Sequence, residues 1–151
     1  MRVYLVIIDE TEEALVALRF AARRAAKTGG AVQILAIVPQ QPFVAFGGVQ
    51  ATIEEEARSR AEALAASAAG NVFSEGAAMP KVSVKVGEGV RVVREYLGEH
   101  PEIAALVLGA AADGGPGPLV AHFTGIGAGQ LPCPLFMVPG WLGDEEIDRL
   151  S

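Results

Sequence analysis

The residues best suited to chemistry begin with the acidic pair Asp9 and Glu10, which closes the apolar run VYLVII at Val3 to Ile8. A carboxylate at the end of a buried strand can accept hydrogen bonds from a ligand, or it can favour the start of the helix that follows. The stretch LGAAADGGPGPLVAHF, Leu108 to Phe123, offers a different chemistry. Its glycines at 109, 114, 115 and 117 could let backbone N–H groups wrap phosphate oxygens ahead of a helix start. Donors are few there, because Pro116 and Pro118 carry no N–H and no Ser, Thr, Lys or Arg stands between Gly109 and His122. His122 could meet phosphate as a cation or carry a proton, yet no second histidine or cysteine lies at metal-ligand spacing from it. His100, beside Pro101, suits the end of a helix, and Cys133 between two prolines has no cation nearby in sequence to stabilise a thiolate.

These residues need elements to position them. VYLVII is β-branched and aromatic throughout and too short for a helix, the pattern of a parallel strand covered on both faces. Thr11 can cap a helix with Glu12 and Glu13 in its first turn and Leu15, Leu18, Ala22 and Ala25 along one face, which Gly29 and Gly30 stop. A second buried strand, Ala31 to Val38, runs into a loop from Pro39 through Pro42 to about Val49. Ile53, Ala57, Ala61, Leu64 and Ala68 then mark a helix face that Gly70 is expected to close. Glu54 with Arg58 and Glu56 with Arg60 fall at the spacing that pairs charges on its solvated side.

KVSVKV, Lys81 to Val86, alternates strictly and predicts a strand near the sheet edge with one wet face. A third helix is expected over Gly87 to Gly98, a fourth strand over Ile103 to Gly109, and a weak fourth helix from about Leu119. Gly125, Gly127 and Gly129 each weaken that helix by about 1 kcal/mol relative to alanine. Pro134 to Val138 gives a fifth strand, and Asp144 can cap a last turn or two of helix. Such alternation implies an α/β fold: a doubly wound five-stranded parallel sheet with right-handed crossovers and helices on both faces. The expected order is 3-2-1-4-5, of which the flavodoxin-like order is a relative. Either order puts a ligand at the strand carboxyl ends beside the first strand, where Asp9 and Gly109 would share one crevice.

Composition bounds the remaining possibilities. The chain of 151 residues is expected to form a single domain, 1–151, large enough for a real core. A net charge of -6 argues against extended nucleic-acid or anionic-membrane surfaces, so any phosphate site must be local. One cysteine cannot make an internal disulfide, the N-terminus turns acidic too early for a signal peptide, and no apolar run spans a bilayer. The expected location is cytoplasmic.

The strand-to-helix opening VIIDETEEALVALRFAARRAAKTGGAVQILAIVP, the strand-four ending LVLGA and the closing LPCPLFMVPG together resemble the universal stress protein family over nearly the whole chain. The resemblance implies a stress-response module that forms a homodimer through its last strand. It also implies ATP or another adenine nucleotide, with or without magnesium, at the switch point between strands one and four. By that resemblance Asp9 would face the ribose or adenosine end, the backbone near Val38 would contact the adenine, and Ile8 would stand among the nucleotide-binding residues. Strand four of the nucleotide-binding branch is followed by GxxGx9G(S/T). Here Gly109 matches the first glycine, Ala112 stands at the second, and Ala121 or His122 at the third, so only part of the motif survives. Gly114, Gly115 and Gly117 lie between.

The resemblance implies binding without catalysis, with no catalytic residues and no metal ligands assigned. A dimeric interaction protein of the same fold that binds no nucleotide is the alternative. A phosphoacceptor receiver would need a carboxylate after strand three, a hydroxyl after strand four and a lysine after strand five. The sequence offers Gly87 with Glu88, Gly109 with Ala110, and Pro139 with Gly140. An adenylating enzyme would need a Ser/Gly-rich loop after strand one, where Glu10 to Glu13 would repel pyrophosphate.

Overall fold

The computed structural model describes residues 1–40 and 47–151, the side chains of 47–51 excepted. β1 (Val3–Ile8), β2 (Ala31–Val38), β3 (Lys81–Val86), β4 (Ile103–Ala110) and β5 (Leu135–Pro139) form one parallel sheet in the order β3-β2-β1-β4-β5. The helices joining them are α1 (Glu12–Thr28), α2 (Gly47–Ser74), α3 (Gly89–Glu99) and α4 (Pro118–Thr124), and α5 (Asp144–Leu150) follows β5.

Strand periodicity divides the core into two layers. Along β1, Tyr4, Val6 and Ile8 pack on one face with Leu18, Ala21 and Ala25 of α1, Val72 of α2 and Ile147 of α5. Leu5 and Ile7 point the other way, to Val93 and Leu97 of α3 and Val120 and Phe123 of α4. A strand buried on both faces has no polar alternation to show, which is why β1 and β2 read as unbroken apolar runs. Gln33 is the exception in β2. It is 8% exposed, accepts from the Tyr96 hydroxyl at 2.8 Å and donates to Glu102 at 3.3 Å.

Several boundaries differ from the sequence reading, each for a local reason. Gly70 does not close α2, which continues to Ser74 because Ala68, Ala69 and Val72 are buried around it while Gly70 faces solvent. The start of α2 at Gly47 also precedes the expected loop end; residues 41–46 of that loop lie outside the described residues. β3 lacks one clean wet face, because as an edge strand it is covered only at Ser83 and Val84. Glu88 caps α3, which therefore begins at Gly89: its carboxylate accepts from the N–H groups of Val90 and Arg91 at 3.1 and 2.9 Å.

The fourth helix stops at Thr124, and the glycine series beyond it forms a loop with a single 3₁₀ turn, Ala128–Gln130. β4 runs one residue further than expected, to Ala110, and β5 spans Leu135–Pro139. Gly143 rather than Asp144 takes the cap position of α5, where the Glu146 carboxylate accepts from the Gly143 N–H at 3.0 Å. Expected and observed agree at Thr11, which caps α1 by accepting from the Ala14 N–H at 3.3 Å. They agree again at His100, which ends α3 with its Nδ1 2.8 Å from the Tyr96 carbonyl oxygen.

Candidate functional site

The winding of the sheet reverses at β1, which has β2 on one side and β4 on the other. Ile8 stands opposite Ala36 of β2, and Val6 opposite Val107 of β4, so the carboxyl ends of the central strands finish side by side. They open onto a crevice made of adjoining hollows. The largest, about 520 Å³, lies between Ile7, Ile8 and Asp9, the end of β2 at Ile37, the β3–α3 turn at Glu88, and Leu119 of α4. A second of about 370 Å³ extends under α2, where Arg60, Ala61 and Leu64 face Asp9 and Val38. A narrow one of about 150 Å³ runs between the start of α1 and Gly117. Asp9 borders all of them.

Asp9 is fixed by the chain that follows it. Its Oδ1 accepts from the Thr11 N–H at 2.9 Å and from the Thr11 hydroxyl, so this carboxylate holds the residue that caps α1. Its exposed position leaves Oδ2 directed to no described partner. Val38 is also half committed, because its carbonyl accepts from the Gly87 N–H at 3.0 Å and keeps one lone pair.

Gly109 serves packing. A Cβ there would sit 2.1 Å from the Glu13 carbonyl oxygen, and one at Gly140 would sit 2.9 Å from the Glu13 Cβ. The first turn of α1 thus rests on two residues without side chains, one at β4 and one just past β5. Gly117 has φ 102° and lets the chain turn into α4.

Pro116 also lines the narrow hollow of the crevice, while residues 110–115 of the glycine-rich loop do not. Ala112, Gly114 and Gly115 are exposed and line none of its hollows. Within the loop the Ala111 N–H donates to the Pro116 carbonyl at 3.4 Å, and the Ala121 N–H makes the first helical bond of α4, to the Gly117 carbonyl at 3.0 Å. Ala121 is exposed and lies outside the crevice lining. His122 borders a separate hollow with Arg94 and Leu131. Of the residues expected at the site, the structure therefore brings together Ile8, Asp9, Val38, Gly109 and Gly117. It sets Ala112, Gly114, Gly115, Ala121 and His122 apart from them.

Arg60 is the residue that sequence reading missed. Its spacing from Glu56 suggested a surface pair, but neither Glu56–Arg60 nor Glu54–Arg58 forms a salt bridge among the described residues, and Arg60 borders the crevice instead. The helical spacing from Ala57 to Ala61 and Leu64 contained the signal, because Arg60 adjoins that stripe. Leu119 in the first turn of α4 and Glu88 in the β3–α3 turn also enter the lining, at positions set by tertiary packing.

The electrostatics of the crevice are acidic, with Asp9, Glu10, Glu13 and Glu88 around it against Arg60. The backbone N–H groups of Arg91 and Val90 hold the Glu88 carboxyl below its ordinary pKa. Such a lining can accept from hydroxyl and amine donors, while its apolar floor of Ile7, Ile37 and Leu119 suits a flat ring. Among the described residues no cluster of His, Cys, Asp and Glu has the arrangement to hold a metal ion. Cys133 lies elsewhere, half-buried before β5, and burial pushes its thiol pKa up. Among the described residues no helix is long and apolar enough to cross a membrane.

A parallel 3-2-1-4-5 sheet with a crevice at the reversal of winding defines the doubly wound class of α/β proteins. Within that class the chain belongs to the universal stress protein family, whose model matches residues 1–139. It is similar in structure to the universal stress protein UspA from Lactobacillus plantarum, at 20% identity and TM-score 0.70 over 91% of this chain and 97% of that one. It is also similar to a universal stress protein family protein from Arabidopsis thaliana with AMP bound, at 12% identity and TM-score 0.62 over 97% and 95%. The universal stress protein from Archaeoglobus fulgidus in complex with dAMP matches at 18% identity and TM-score 0.55 over 91% and 97%. At these identities the likeness is one of fold. No curated protein matches the sequence.

Proposed function

We propose that this protein is a non-catalytic universal stress protein module that binds an adenine nucleotide with a short phosphate chain in the switch-point crevice and acts as a cytoplasmic homodimer in stress response. The observation that carries the reading is the run of adjoining hollows bordered by Asp9, with its spare carboxylate oxygen, between the ends of β1, β2 and β4. In this reading Oδ2 of Asp9 accepts from a ribose hydroxyl, and the second lone pair of the Val38 carbonyl accepts from the adenine amine. Ile8 borders the ribose end, Gly109 and Gly117 the phosphate end, and Arg60 lines the hollow on the Val38 side. Relatives of the same fold described with AMP and dAMP support the ligand class.

The short phosphate chain follows from charge. Several carboxylates around one arginine repel a triphosphate far more than a monophosphate, and the loop residues Ala112, Gly114 and Gly115, which would offer further N–H donors, line none of the hollows. The test is thermal unfolding with AMP and ATP titrated separately. AMP is expected to raise Tm, corresponding to about 2.7 kcal/mol at a hundredfold excess over Kd. Asp9→Asn, which keeps an oxygen acceptor for Thr11, is expected to remove most of that rise without lowering the Tm of the ligand-free protein.

Ala112, Gly114 and Gly115, exposed and outside the crevice lining, favour a second reading, a dimeric interaction protein that binds no nucleotide. Unchanged Tm with every adenine nucleotide, in a protein that still dimerises, would decide for it.

A further inference from the structure

On the sheet face that carries α3 and α4, a second hollow of about 530 Å³ lies away from the switch-point crevice. Its floor is apolar, from Leu97, Phe123 and Leu131, and its rim carries Arg91, Arg94 and His122. We propose that this hollow binds a small monoanion with an apolar body, of the class of a short-chain or aromatic carboxylate, whose charged group meets Arg94 and His122. The proposal is independent of nucleotide binding, since the two sites share no lining residue.

Charge selects the ligand. Arg91 is committed, its Nη1 donating to both Glu95 carboxylate oxygens at 3.0 and 3.2 Å. Arg94 has no hydrogen bond or ion pair with any described residue, and neither ring nitrogen of His122 has a hydrogen-bond partner among them. In a chain of net charge -6, this leaves the Arg94 guanidinium without a described ionic partner at the mouth of an apolar hollow. A guanidinium fork matches a carboxylate, and Glu95, on the same rim, disfavours a dianion. The volume lies within the range of small-molecule sites.

The construction of the rim also points to a ligand. Gly98 stands in the last turn of α3, where glycine is a poor helix former. It has no left-handed φ, and a Cβ there would meet nothing within 4 Å, so neither conformation nor packing requires the glycine. Its missing side chain keeps the hollow open. Gly127 does have a packing reason, because its Cβ would lie 2.4 Å from the His122 Nε2. The imidazole rests against Gly127 and edge-on to Phe123 at 5.0 Å, while the N–H groups of Gly125 and Gly127 donate to the His122 carbonyl at 3.2 and 2.9 Å. The glycines after α4 thus hold His122 at this rim.

The test is a set of ¹H–¹⁵N correlation spectra of the full chain titrated with octanoate, benzoate and, separately, inorganic phosphate. Octanoate or benzoate is expected to shift the amides of Gly98, His122 and Gly127 and to leave those of Asp9 and Gly117 in place. Inorganic phosphate, lacking an apolar body, is expected to shift them at least tenfold more weakly at equal concentration. Arg94→Gln should raise the carboxylate Kd about tenfold. Gly98→Leu, built into open space at the wall, should abolish the shifts while the spectrum stays that of the folded protein. The proposal is overturned if neither carboxylate shifts these amides, if phosphate alone does so equally well, or if both variants bind like the parent protein.

Discussion

At the scale of single residues, the glycine most suggestive of phosphate binding has a steric duty that can be measured. Gly109→Ala sets a methyl 2.1 Å from the Glu13 carbonyl oxygen, a separation the backbone can relieve only by moving α1 off β4. Chemical denaturation should show a loss of about 1–3 kcal/mol, the usual cost of overpacking. Gly115→Ala, at a position with space around it and no left-handed φ, should lose almost nothing. Gln33 gives a second case. The Tyr96 hydroxyl donates to its buried Oε1, and the ring of His100 stacks on Tyr96 with centroids 3.9 Å apart. Tyr96→Phe leaves that amide oxygen without its donor and should cost about 1–3 kcal/mol by the same measurement. A polar residue inside AVQILAIV was visible in the sequence, but its partners come from α3 and from Glu102, and spacing along one strand cannot reveal them.

At the scale of elements, legibility followed the kind of force that sets each boundary. The central strands were readable because burial on both faces demands an apolar run, and Thr11 because a hydroxyl before a helical stripe has a local purpose. Gly70 misled because its helix-breaking tendency, about 1 kcal/mol, is smaller than what burial of Val72 beyond it contributes. The direction of the 111–117 loop was not readable at all. Glycine and proline permit many turns, and spacing along the chain does not choose among them. Arg60 was read as half of a surface pair because helical spacing brings two residues within reach without deciding whether they meet.

The start of α3 gives a prediction at this scale. The folded pKa of Glu88 is depressed by the N–H groups it caps, so its contribution to the helix is present above the ordinary carboxylate pKa and is lost as pH falls through the lower folded value. Amide exchange at Val90 and Arg91, corrected for intrinsic rates, should therefore quicken as the solution is acidified through and below about pH 4. Glu88→Gln should lose most of that pH dependence.

At the scale of the whole molecule, the sheet ends in edges of different character. β3 presents Lys81 and Lys85, charges that discourage another strand from adding there. β5 is Leu-Phe-Met-Val-Pro, without a charge and paired only with β4. Met137 on it is 50% exposed, and Trp141 just beyond is 65% exposed. Two copies meeting at β5 would pair edge to edge about a twofold axis and cover both side chains in each, the self-complementary contact that closed dimers require. The other edge exposes Val82 and Val86 but sets Lys81 and Lys85 beside them, charges that oppose strand addition, so association should stop at two rather than continue into a filament. Each chain carries -6, so repulsion opposes the encounter and added salt should strengthen it. Sedimentation equilibrium should give twice the 15.6 kDa chain mass, and Met137→Lys, which sets a like charge beside its own copy across the axis, should weaken the dimer tenfold or more. A parent protein that sediments as a monomer at every salt concentration, or a Met137→Lys variant that dimerises equally well, would remove β5 as the contact.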